Sequence, residues 1–328
     1  MPKTLKVGER WKEMAQSKTW VDIFEETVQK FPEKEAVVFW ESMRRFTYRE
    51  YKERVDEIAK GLYALGVREK THVGIWMTNI PEWVFSRLAI YKLKAIMIPF
   101  HTRYKLEEMR YVLRQSDTEI LLMEKTFVGK IDALGLLIEL IPELEERVKT
   151  GEIHSKDFRA LKHVVMVDRI DGPNMYSLGQ LIQMGKEVRD DEIRSEVSSN
   201  DTIHIVYTSG TTGFPKGVVT ASSCKVGQLV IYAELCDLES ESRFLNLMPF
   251  FGNIGGDNQL IPIVEGATLV VGPSGYDPEA TMEIIQNEKI TNCIFVPTML
   301  QDIVNHPNFE KYDLSSLRRI TAAGAVVP

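Results

Sequence analysis

Cysteine is scarce in this chain. Cys224, Cys236 and Cys293 are the only three, widely spaced and with no CxxC pair. That argues against a disulfide framework and against the usual zinc-ligand spacing. The six histidines form no HxxxH or similar cluster. There is no basic excess, the formal net charge being −7, which argues against a nucleic-acid partner. No run approaches the ~18 apolar residues of a membrane span. The opening "MPKTLKVGERWKEMAQ" has no apolar core of the secretory kind. No internal repeat or low-complexity segment stands out. The expectation is a reduced, soluble, cytoplasmic protein. At 328 residues and 44% hydrophobic, the chain can carry two core-bearing units.

What is present is an alternation of helix and strand patterns. "TYREYKERVDEIAKGLYALGV" opens with Thr47 and Glu50 in capping-box spacing. Tyr51, Val55, Ile58, Leu62 and Leu65 then make one apolar face, and Gly66 stands where a C-cap glycine belongs. Strands are expected at "HVGIWM", "AIMIPF", "EILLM", "HVVMVD" and "IHIVY", with helices at "PEWVFSRLAIYKL", "KLEEMRYVLRQS", about 127–147 and 177–185. After a polar linker, "RDDEIRSEVSSND", and a glycine-rich loop come a helix at 219–235 and strand "FLNLMPF". An apolar helix near 258–265 and strand "ATLVVG" come next. Asp277 caps a helix that begins at Pro278, and "NCIFVP", "TMLQDIVNH" and "LRRITAAG" close the series. Strands separated by helices of this length indicate α/β layers built on mostly parallel sheets.

The loop comes after strand "IHIVY" and reads "YTSGTTGFPKGVV". Glycines and hydroxyls packed this closely suggest an anion cradle, with inward backbone N–H groups and the positive end of a following helix. Ser209, Thr211 and Thr212 offer hydroxyl donors, Gly210 and Gly213 permit close approach, and Lys216 adds a mobile cation. A Walker A motif requires GxxxxGK[ST]. Here Gly213 lies three residues before Lys216 and Gly217 comes after the lysine, so the spacing fails.

The loop resembles the phosphate-binding signature of the adenylate-forming superfamily, which includes acyl-CoA synthetases, adenylation domains of peptide synthetases, and luciferases. The resemblance extends over nearly the whole chain, through the Thr47 helix, "NIPEWVFSRLAIYKLKAIMIPFHTRYKLEEMRYVLRQS", "VPTML" and "DLSSLRRITAAGA". "GKIDALGLLIELIPELEERV" with "LKHVVMVD" is similar to the medium-chain acyl-CoA synthetase branch.

The resemblance implies activation of a carboxylic acid, medium-chain fatty or alicyclic, by Mg2+-ATP, followed by thioester formation with coenzyme A. It implies that Thr208, Ser209, Gly210, Thr211, Thr212, Gly213 and Lys216 bind phosphate, with Thr212 shared with magnesium and Lys216 and Thr212 acting in catalysis. Gly324 and Ala325 would meet the nucleotide, and Phe251, Gly252, Asn253, Thr298 and Ala323 the acid. Two departures stand out. Gly252 occupies the position where the family often has histidine. In "AAGAVVP", Ala323 replaces a glycine and Val326 a proline. His101 in "PFHTRY" stands where relatives often have asparagine and reads as a loop residue.

The fold expected is α/β, with two mostly parallel sheets flanked by helices. One subdomain would span about 70–221 and the other about 17–69 plus 222–328. The family's β-barrel and C-terminal domain would be largely missing. The chain would then be part of a large N-terminal domain and inactive alone. Competing readings are adenylation with transfer to a carrier protein, and a non-catalytic nucleotide-binding fragment. A homodimer is among the partners the reading allows.

Overall fold

A computed structural model describes residues 8–128, 130–145, 152–168, 175–193, 198–208 and 214–324. The strands are β1 (Glu35–Phe39), β2 (Arg44–Thr47), β3 (His72–Trp76), β4 (Ile96–Pro99), β5 (Ile120–Met123), β6 (Thr126–Phe127), β7 (Ile131–Asp132) and β8 (His163–Met166). They continue with β9 (Met175–Ser177), β10 (Thr202–Thr208), β11 (Lys216–Ala221), β12 (Arg243–Asn246), β13 (Thr268–Val271), β14 (Asn292–Phe295) and β15 (Arg319–Ala322). β6 and β7 pair antiparallel by themselves, and the other strands form a six-stranded sheet in the order β15-β14-β12-β13-β1-β2 and a seven-stranded sheet in the order β11-β10-β4-β3-β5-β8-β9. Each sheet is parallel except at one edge, where β1–β2 and β10–β11 pair antiparallel. The α/β architecture is as expected, and no closed barrel forms among the described residues.

The chain divides into two compact units. Unit one holds Met1–Lys52, Ser223–Phe250 and Ile254–Pro328, and unit two holds Glu53–Ser222 and Phe251–Asn253. The division falls inside the Tyr48–Ala64 helix, whereas the sequence pattern placed it near residue 69. The reason is packing on both ends of one helix. Its start is tied into unit one, where the Tyr48 hydroxyl donates to the Ala267 carbonyl at 2.6 Å. Its second half belongs to unit two, where a Cβ on Gly61 would stand 2.5 Å from the Leu181 carbonyl oxygen. Only glycine allows the backbone of the Leu178–Met184 helix to come so near.

Several local expectations hold. Thr47 N–H donates to Glu50 Oε2 at 2.8 Å and Glu50 N–H to Thr47 Oγ1 at 3.2 Å, a reciprocal capping box. Gly66 has φ +103°. Asp277 caps the Pro278–Asn287 helix, accepting from Ala280 N–H at 2.7 Å.

Others are corrected. The helix expected at 127–147 is instead the antiparallel pair β6–β7, a helix at Ala133–Leu140 and a short 3-10 turn at Pro142–Glu145, with 129, 146 and 147 outside the described residues. Asp132 caps that helix through Gly135 N–H at 2.9 Å, and Pro142, lacking an N–H, cannot continue it. The helix expected near 258–265 is instead a helix at Asn253–Asn258 and a 3-10 turn at Ile261–Val264 around Pro262. The strands β1 and β2 and the Trp20–Lys30 helix are additions that the sequence pattern does not announce.

The two cores are separate clusters. In unit two, Trp76, Phe100, Met109, Leu121, Met123, Phe127 and Val164 are buried together. In unit one the buried cluster includes Val38, Leu245, Val270, Met282, Ile285, Cys293 and Phe295.

Candidate functional site

The glycine-rich loop joins β10 to β11. Strand β10 lies between β4 and β11, and its register to β11 pairs Tyr207 with Gly217 and Thr208 with Lys216. The segment after the loop is therefore a strand, and the next helix starts only at Ser222. This corrects the strand–loop–helix reading, because Val218, Val219 and Thr220 pair with the edge of β10 instead of starting a helix. No helix N-terminus comes directly after the loop. A Cβ at position 217 would stand 2.9 Å from Ile205 Cγ2, so glycine there lets β11 close on β10. Ser209, Gly210, Thr211, Thr212 and Gly213 lie outside the described residues, as does Ala325.

The ends of the loop are anchored on one helix, Leu106–Gln115. The Tyr207 hydroxyl donates to Gln115 Oε1, and burial raises the Tyr207 pKa well above its ordinary value. At the far end, the Phe214 ring stacks on Tyr111 with centroids 4.5 Å apart and planes 19° apart. Tyr111 and Gln115 are one helical turn apart and share a face. Thr208 Oγ1 donates to the Lys216 carbonyl at a long 3.4 Å, and both side chains are exposed. Lys216 has no ion pair among the described residues. A hydroxyl and an unpaired ammonium at the mouth of a hairpin are donors suited to phosphate oxygens. Magnesium favours oxygen ligands and often takes several from phosphate and water. The described residues contain no cluster of three or more His, Cys, Asp or Glu that could hold a metal, and Thr212 lies outside them.

The second candidate segment precedes and begins the Asn253–Asn258 helix. Phe251 and Gly252 are half-buried and Asn253 is exposed. The Phe251 ring packs on His101, with centroids 4.0 Å apart. His101 lies just past the C-terminal end of β4. Its carbonyl accepts from Trp76 Nε1–H at 3.2 Å and from Tyr104 N–H at 3.0 Å, while its Nδ1 accepts from Arg103 N–H at 3.0 Å. Burial and the Arg103 charge lower its pKa from the ordinary value, against an opposing pull from Glu108. His101 and the Tyr111–Phe214 stack are neighbours of the site that sequence reasoning missed. Nothing in sequence spacing joins them to the loop or to Phe251.

Unit one carries the remaining described candidates. Strands β14 and β15 run parallel, and Ala323 N–H donates to the Phe295 carbonyl at 3.0 Å, extending their ladder by one step. Gly324 comes next, with φ +90°, and is exposed. Thr298 is exposed in the first turn of the Pro297–Val304 helix, directly after β14. Thr298, Ala323 and Gly324 thus sit beyond the carboxyl ends of parallel strands, where open α/β sheets bind ligands. Thr208 has the same placement in unit two, at the end of β10.

Two mostly parallel α/β sheets, each with one antiparallel edge, are the architecture of the N-terminal domain of the adenylate-forming class. The chain belongs to the AMP-binding enzyme family, which matches residues 24–328. It is 32% identical over 309 residues to the putative acyl-CoA synthetase YngI of Bacillus subtilis (strain 168), covering 93% of this chain and 56% of that protein. It is 31% identical over 326 residues to the mitochondrial medium-chain acyl-CoA ligase ACSF2 of Rattus norvegicus, covering 95% of this chain and 52% of that protein. The fold matches the anthranilate CoA ligase AuaEII, solved with anthranoyl-AMP, at a TM-score of 0.82 and 24% identity, over 97% of this chain and 57% of that one. The chain therefore spans about half the length of the curated relatives it matches. No helix among the described residues is long and apolar enough to cross a membrane.

Proposed function

We propose that the protein carrying this chain is an AMP-forming acid–thiol ligase. In the first half-reaction a carboxylate oxygen of the acid attacks the α-phosphorus of ATP. The bond to the β-phosphate oxygen breaks, and pyrophosphate leaves with its electron pair. In the second, a coenzyme A thiolate attacks the acyl carbon and AMP departs. Two steps are needed because a carboxylate oxygen is a poor leaving group and AMP a better one.

The observation that carries this reading is the β10–β11 hairpin, with Thr208 and Lys216 paired at the mouth of a Ser/Thr/Gly loop. In this role Lys216 neutralises charge gathering on departing pyrophosphate, and the loop hydroxyls and amides hold its oxygens. Thr212 would hold magnesium together with the phosphates, and the ion would supply further charge neutralisation there. Phe251, Gly252, Asn253, Thr298 and Ala323 are assigned to the acid, and Gly324 and Ala325 to the nucleotide. Support for a medium-chain acid comes from the similarity to ligases of that name. A cytoplasmic setting is part of the proposal, as is the expectation that residues 1–328 alone do not form thioester.

The test is pyrophosphate exchange by the full-length protein, with acids from acetate to dodecanoate and alicyclic acids, with and without coenzyme A. Exchange that peaks at medium chain length, with octanoyl-CoA found by mass spectrometry, is expected. Exchange without thioester product would point to another acceptor. An absence of exchange with every acid would overturn the reading.

A further inference from the structure

We propose that His101 is a substrate-binding residue, whose Nε2–H donates a hydrogen bond to the carboxylate of the acid. The inference rests on the adenylation reading above and adds to it a residue that the sequence pattern sets aside.

Three observations within unit two converge on this ring. The first is position. Strands β4 and β10 are parallel neighbours, with Met97 opposite His204. Counting on from that pair, 97 to 101 and 204 to 208, His101 and Thr208 lie the same four residues along. Thr208 is the residue from which the phosphate loop departs. The imidazole also packs on Phe251 at 4.0 Å, next to Gly252, which brings no side chain of its own. His101 thus follows the strand next to the one from which the loop departs, and packs against the segment assigned above to the acid.

The second observation is the tautomer. Nδ1 accepts from the Arg103 backbone N–H at 3.0 Å, so its lone pair is committed. Burial and the Arg103 charge lower the ring's pKa from its ordinary value, against the pull of Glu108, and so favour the neutral form. A neutral imidazole whose Nδ1 is an acceptor carries its proton on Nε2. Nε2–H has no acceptor among the described residues. It is open to solvent, where a ligand oxygen can replace water.

The third is rigidity. The His101 carbonyl is held by Trp76 and Tyr104, Nδ1 by Arg103, and one ring face by Phe251. A donor locked from three sides needs little reorganisation to meet a ligand oxygen, which is what a positioning hydrogen bond requires.

The experiment uses the full-length protein and two variants. His101→Phe keeps a ring against Phe251 but has no donor. His101→Gln places an amide N–H near the Nε2 position. For His101→Phe, KM for the acid in pyrophosphate exchange should rise about tenfold or more, while KM for ATP stays within about twofold. His101→Gln should recover most of the loss. A residue that merely packed would move both KM values, and Phe would replace it better than Gln. An acid KM unchanged in His101→Phe, or equal rises for acid and ATP, overturns the inference while leaving the adenylation reading intact. Wild-type protein without exchange on any acid overturns both. If neither variant folds, imidazole 15N NMR of the wild type decides. A proton on Nε2 near pH 7 and a shift of that nitrogen on adding octanoate support the proposal, and a proton on Nδ1 or no shift refutes it.

Discussion

At the β1–β2 edge of unit one, side chains tie the outer strand to its sheet. Arg45 on β2 meets Glu35 at 2.9 Å and also pairs with Glu288. Arg243 on β12 meets Glu35 at 2.7 Å and Glu288 as well. The Glu288 side chain is almost fully buried between the two guanidiniums. At the β10–β11 edge of unit two the outer strand begins Lys216-Gly217-Val218-Val219, with Val219 62% exposed, and the Thr208 hydroxyl contact is long. Both edges are antiparallel additions to parallel sheets. One uses its charges to hold itself; the other leaves a lysine with no ion pair among the described residues, beside a loop. An exposed edge is ordinarily blunted by charge or by pairing. The cations at the first edge are structural, and the lysine at the second is the one to which the proposed function gives a chemical role.

Removing Lys216 should break the comparison most sharply. Lys216→Ala in the full-length protein should slow adenylation by about 10²–10³-fold, the usual loss of one charged transition-state donor. Its thermal unfolding should match the wild type, since the side chain is exposed and makes no ion pair among the described residues. Pyrophosphate exchange and calorimetry read the two halves. An unchanged rate in a folded variant would remove the hairpin loop from the mechanism.

The converse change is Glu288→Ala. It leaves two guanidiniums without their buried partner and should cost about 3 kcal/mol of stability, at the low end for a broken buried pair because Arg45 is partly solvated. The midpoint of urea unfolding reports this, and KM for ATP should stay near the wild-type value. A variant that unfolds normally but loses activity would reverse the assignment of the two edges.

Smaller in effect, Gly252→His tests the segment beside Phe251. Added bulk should impair longer or wider acids by about tenfold more than acetate, as pocket-filling changes do. Equal losses at all chain lengths would place position 252 away from the acyl group.

The smallest effect is a pH dependence at the structural edge. Burial raises the Glu35 pKa, but hydrogen bonds from Arg243 and Arg45 outweigh it and hold the carboxyl below its ordinary value. A folded pKa below the unfolded one gives stability that is complete above about pH 4.3 and lost as pH falls through the folded value. Acid unfolding followed by circular dichroism should show this loss in the wild type and a flatter profile in Glu35→Gln. Identical profiles would remove Glu35 from the network's energetics.

Much of the fold was legible because its signals are local. The Thr47–Glu50 box, the Asp277 cap and Gly66 are decided by bonds or backbone angles within a few residues. The buried strands of the parallel sheets read as short apolar runs for the same reason. The loop's residue order likewise carries the family resemblance, because its hydroxyls, glycines and lysine lie within ten positions of one another. The strand after the loop was not legible. Val218 and Val219 pass equally for the start of a helix or a strand, and the β10 edge selected the strand by offering it a ladder. Strands β1 and β2 were missed because their stability lies in β13 and in Arg243 and Glu288, far along the chain. His101 shows the limit most plainly. The sequence determined a histidine in a loop after a strand. Its burial and its place against Phe251 were decided by tertiary structure, since burial and ring contacts exist only between segments that the fold brings together.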